Sequence, residues 1–143
     1  MNIASNGLEG QVLTACCAIG ESDGIASLQP GPADNLGVTR VSFGAGQVPV
    51  RSLDSLAITG PIGLLKIDVE GAEAAVLRGA RALITECLPD IVVEAGDLPA
   101  FNLVVELLLR FGYVPHGRYA ATATYLFRTT DQERRLRRIL AAR

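Results

Sequence analysis

The chain has 143 residues, 49% of them hydrophobic and 20% charged, which suits one globular domain with a real core. A net charge of −2 leaves no basic surplus for nucleic acid or an anionic membrane as a main partner. No apolar run reaches the roughly 18 residues of a membrane span, and no basic segment leads into an apolar one at the start, so the expected compartment is the cytoplasm.

Residues 1–10 hold Asn2, Ser5, Asn6 and Gly7 with little apolar periodicity and read as the end of an element rather than a beginning. Residues 11–20 (QVLTACCAIG) are an apolar, β-rich run predicted as a buried strand ending at Gly20, with a turn over 21–24. Cys16 and Cys17, adjacent in that run, face opposite sides of a strand; with Cys87 they are odd in number and lack metal spacing, so buried free thiols are expected. A short strand is predicted over 25–28 and a loop over 29–37. Segments over 38–43 and 47–53 flank Gly44-Ala45-Gly46 as a hairpin or an extended pair, and 53–56 form a helical turn.

The chain is organised around residues 63–79. Lys66, Asp68 and Glu70 alternate with Ile67 and Val69 in a run of strand length, so the three charged side chains lean to one side of a strand. From Ala72 the apolar residues recur as Ala75, Val76, Gly79, Ala80, Leu83 and Ile84, the period of one helix lying on a sheet, with Gly71 as the pivot. Carboxylates at the end of a buried strand, just before a helix, lie where open α/β sheets hold ligands. Asp68 and Glu70 therefore either act in a cleft or cap the Gly71 turn. Lys66, the one lysine, is costly to bury unpaired and is expected to meet Asp68 or to reach the surface.

Pro89 ends the helix, and residues 90–94 (DIVVE) form a second short strand closing on a carboxylate, Glu94, which could line the same cleft. Asp97 and Pro99 start a helix that runs through Phe101, Val104, Val105, Leu108 and Phe111 to Gly112. Residues 113–119 and 122–128 read as antiparallel strands joined through Ala120-Ala121, with His116 as a surface or loop residue. Residues 131–143 read as a polar, solvated helix distinct from a single domain over 1–130.

The segment Lys66-Ile67-Asp68-Val69-Glu70-Gly71-Ala72-Glu73, with Val76-Leu77-Arg78-Gly79-Ala80 after it, closely resembles the hallmark of the FkbM family of S-adenosylmethionine-dependent methyltransferases. Val50 to Leu56, Pro89 to Glu94 and Asn35-Leu36-Gly37 are similar to flanking elements of that family. The resemblance implies a three-layer, Rossmann-like α/β sheet, mostly parallel with an antiparallel C-terminal strand pair. It also implies methyl transfer from S-adenosylmethionine to a hydroxyl of a sugar or secondary metabolite. It assigns Asp68 and Glu70 to catalysis, Ala18, Ile19 and Asp68 to the cofactor, and Asn35 and Glu94 to a small-molecule or glycan acceptor, with no metal.

The family's opening strand and glycine-rich cofactor turn are not found before Gln11, so the fold is expected to be N-terminally incomplete and to bind cofactor weakly or not at all. The alternative is an inactive remnant serving as an interaction module or having no independent function. Such a chain would expose an inner sheet edge at residues 64–69, covered either by residues 11–20 pairing with it directly or by a second copy in a homodimer.

Overall fold

The computed structural model describes residues 2–131 and arranges them as two four-stranded sheets bridged by short helices. The first sheet holds β1 (Ala18–Ile19), β2 (Gly24–Gln29), β3 (Arg40–Phe43) and β4 (Val48–Arg51) in the order β1-β4-β2-β3. The second holds β5 (Leu64–Ile67), β6 (Asp90–Glu94), β7 (Tyr113–Tyr119) and β8 (Thr124–Thr129) in the order β5-β6-β8-β7. The helices are α1 (Asn2–Ser5), α2 (Glu73–Arg78), α3 (Arg81–Cys87) and α4 (Leu98–Leu109).

The α/β class and the antiparallel β7/β8 pair are as expected. A mostly parallel sheet is not: parallel pairing is confined to β1/β4 and β5/β6, while β8 runs antiparallel between β6 and β7. The tight turn over 120–123 brings β8 back beside β7, and Phe127 opposite Ile91 and Tyr125 opposite Val93 continue the apolar row of β6. Helices α2, α3 and α4 all pack on that row, joining Val76, Leu77, Leu83, Ile84, Val104 and Leu108 to Ile67, Ile91, Val93 and Phe127. Helices thus cover one face of this sheet among the described residues, in place of the two faces of a three-layer arrangement. Fully buried side chains such as Leu77, Ile91 and Phe127 each contribute about 1.5–3 kcal/mol. Tyr113, also buried, donates its hydroxyl to the Pro89 carbonyl at 2.7 Å, which satisfies a polar group that burial would otherwise penalise.

The expected strand over 11–20 shrinks to Ala18–Ile19, in register with Val50 and Arg51. The next position on β4 is Pro49, which has no N–H to offer a ladder, and Leu13 is 98% exposed. The thiols are free, but Cys16 is exposed and Cys17 only half-buried, because residues 12–17 lie outside the sheet, and Cys87 at the end of α3 is half-buried as well. Nor do β3 and β4 form a hairpin. Both pair with β2, on opposite sides, and the chain steps across it at Ala26, which faces Phe43 of one and Val48 of the other. Gly46 makes that step at φ 126°, and a Cβ there would lie 2.2 Å from the Ala26 carbonyl oxygen, so only glycine passes.

The single helix expected after Gly71 is broken into α2 and α3 at Gly79-Ala80. The Gly79 carbonyl, which would bond Leu83 N–H in a continuous helix, instead accepts from Asp54 N–H at 2.9 Å. Leu83 N–H and Ala82 N–H both donate to the Asp54 carboxylate at 3.0 Å. Asp54, in the helical turn Asp54–Leu56 after β4, thus satisfies both halves of the interrupted ladder and fastens the first sheet to the helices. β1 does not move across to β5, whose outer edge has no ladder partner among the described residues. The polar helix expected over 131–143 lies, apart from Asp131, outside the described residues.

Candidate active site

β5 and β6 are parallel and in register, Ile67 against Val93, so the residues that follow each strand emerge side by side. Beyond β5 the chain turns at Gly71, φ 88°, before entering α2; beyond β6 it passes Gly96 and enters α4 behind Asp97. A cavity of about 130 Å³ opens there, lined by Asp68, Glu70, Glu73, Glu94, Asp97 and, from β3 of the other sheet, Arg40. The fold therefore brings Asp68, Glu70 and Glu94 together, as the strand endings suggested.

The five carboxylates are not equivalent. Glu73 is buried and accepts from Gly71 N–H at 2.9 Å, so Glu73 caps the turn, the duty considered for Asp68 and Glu70. Asp97 accepts from Ala100 N–H at 2.8 Å as the N-cap of α4. Asp68 takes the ammonium of Lys66, the ion pair expected for the chain's one lysine. Glu70 and Glu94 have no side-chain partner among the described residues, and neither does Arg40. Two carboxylates are thus free to meet a ligand and a third is held only by an exposed lysine. The surplus of negative charge suits a cation, or hydroxyl groups that donate to carboxylate oxygens. Among the described residues no three His, Cys, Asp or Glu side chains are grouped as a metal ion requires.

The other expected residues lie elsewhere. Ala18 and Ile19 form β1, in the first sheet, with Ile19 packed against the core. Asn35 is exposed in the loop before β3, its N–H bonded to the Pro32 carbonyl at 2.8 Å. None of the three lines the cavity. His116 is exposed at an irregularity of β7, as expected. Asp97 was legible only as a helix start and Glu73 only as part of the segment that resembles the family, and no local signal could place Arg40, 28 positions before Asp68, at this cavity.

The family model described as the methyltransferase FkbM domain matches residues 2–115, well over half of the chain. The chain belongs to the FkbM methyltransferase domain family. Among curated proteins none matches it. Its fold is similar to a crystal structure of the methyltransferase FkbM from Methylobacillus flagellatus KT, at 23% identity and a TM-score of 0.54 over 88% of this chain. The match spans 30% of that protein's chain, so this FkbM-family chain corresponds to less than a third of its length. At that identity the likeness speaks for the fold. In this FkbM-family chain the hallmark segment supplies β5, the Gly71 turn and the start of α2, which carry Asp68, Glu70 and Glu73 to the cavity.

Proposed function

We propose that this chain carries the reacting end of an S-adenosylmethionine-dependent O-methyltransferase site, acting on a hydroxyl of a sugar or another polyhydroxylated small molecule in the cytoplasm. The observation that supports it is the convergence of Asp68, Glu70 and Glu94 at the carboxyl ends of two parallel strands, with Glu70 and Glu94 unpartnered. A carboxylate-rich cavity fits the donor's positive sulfonium and ribose hydroxyls, and its volume of about 130 Å³ admits one reacting group rather than a whole cofactor. When bound, S-adenosylmethionine would supply an electrophilic methyl, its sulfur–methyl bond breaking to leave S-adenosylhomocysteine. Glu70 or Glu94 would accept the proton that the acceptor hydroxyl loses as its oxygen bonds the methyl, and Asp68 would orient the partners. The proposal uses neither Ala18, Ile19 nor Asn35. A cytoplasmic setting is supported by three free cysteines, and no helix among the described residues is long and apolar enough to cross a membrane.

The test is a titration of the isotope-labelled chain with S-adenosylhomocysteine, followed at backbone amides. Weak, saturable shifts at Gly71 and Gly96, lost in Glu70→Gln with Glu94→Gln, are expected. Shifts centred on Ala18 and Ile19 instead would move the site to the other sheet and overturn the assignment.

A further inference from the structure

Helices α2 and α4 both begin at the acidic cavity, and their far ends form a second concavity of opposite charge. There Leu77 and Arg78 of α2, Arg81 at the start of α3, and Leu107, Arg110 and Phe111 at the end of α4 surround a groove of about 310 Å³. That is within the range of small-molecule sites, roughly 300–1,000 Å³, and more than twice the acidic cavity.

The charges have a simpler explanation that must be weighed first. Cations at helix C-termini are stabilised by the macrodipole, which accounts for Arg78 and Arg110 without any ligand. Arg110 is further engaged by Glu106 at 2.8 Å, an exposed pair one turn apart. Arg81 escapes this account. It stands at the first position of α3, where the dipole does not favour a cation, and its side chain has no partner among the described residues. Arg78 is held only loosely, 3.9 Å from Glu21. Three guanidinium groups and a single carboxylate, Glu21, thus border the groove, in a chain whose overall charge is −2.

We propose that this groove binds a small organic phosphate, its apolar body on the half-buried Leu107 and Phe111 and its phosphate between Arg78, Arg81 and Arg110. A phosphate presents three terminal oxygens and about two negative charges, enough to engage more than one guanidinium fork, where a carboxylate engages one. The incoming anion replaces the loose Glu21 contact and gives Arg81 its missing partner. The site touches no residue of the acidic cavity and stands or falls independently of methyl transfer.

The test is an isotope-edited titration of the full chain with phenyl phosphate, inorganic phosphate and benzoate, read at the arginine Nε–H signals and at Phe111. Phenyl phosphate is expected to saturate with a dissociation constant of about 1 mM or tighter, and both other probes to bind at least about tenfold more weakly. Arg81→Gln and Arg78→Gln, both at exposed positions, should each weaken phenyl phosphate by about tenfold with an unchanged melting temperature. Arg81→Lys, which keeps the charge without the fork, should fall between. Absence of saturation, equal binding of benzoate or of inorganic phosphate, or undiminished affinity in both glutamine variants would overturn the proposal.

Discussion

The Asp68 carboxylate is held by the Lys66 ammonium and makes no bond to the helix that follows it. Both side chains are about half exposed, 58% and 48%, so the pair is worth at most about 1 kcal/mol. Asp68→Asn should therefore shift the free energy of unfolding in urea by less than about 1 kcal/mol, and under the proposed function the same change in a full-length family member should reduce transfer of a labelled methyl group at least tenfold. A large loss of stability with undiminished transfer would make Asp68 structural. Asp23 is a carboxylate of the other kind. It accepts from the Ser55 hydroxyl and the Ser52 N–H and lies 3.1 Å from Arg51, and these contacts, the Ser55 bond foremost, hold its carboxyl below the ordinary carboxylate range. A depressed folded-state value means the charged form is preferred in the fold. Its stabilisation is complete above the unfolded value near pH 4 and is lost as pH falls through the lower folded value. Asp23→Asn should accordingly flatten the acid limb of a stability profile below about pH 5 and leave its slope near neutrality unchanged.

The break between α2 and α3 shows an element yielding to its neighbours. The apolar period runs unbroken from Ala72 to Ile84 and predicts one helix, because periodicity registers only which residues face the core. What divides it is the approach of the first sheet, whose Gly20 carbonyl comes so close that a Cβ on Gly79 would lie 2.1 Å from it. In an isolated helix Gly79→Ala would add about 0.5–1 kcal/mol of stability. Here the sign should reverse, with a loss of about 1–3 kcal/mol in urea unfolding, since the obstacle is backbone and cannot swing aside. A stabilised variant would show that the two sheets do not meet at this point. Asp54 reads locally as part of a helical turn, and its bond to Ala82 and Leu83, 28 and 29 positions away, has no sequence signal.

For the whole molecule, β5 is one of the strands whose outer edge is left without a ladder partner among the described residues. β6 satisfies one side of it, and Leu64 at its start is 59% exposed. A second copy pairing edge to edge, the homodimer expected from the sequence, would supply that partner. Sedimentation equilibrium should then show a dimer, and Leu64→Lys, which charges the edge, should return it to monomer. A monomer at every concentration would rule the pairing out. The sequence by itself determined the local order: β5, the Gly71 turn, the Asp97 start of α4, the β7/β8 pair, and the acids that end two parallel strands. Those features depend on side-chain period and on turn and cap chemistry within a few residues, all of which are written in order along the chain. Only the tertiary structure decided that β2 lies between β3 and β4, that Glu73 takes the cap and leaves Glu70 free, and that Arg40 joins the acidic cavity. Each depends on which distant backbone group arrives first at a bond or a space, and no local pattern encodes that competition.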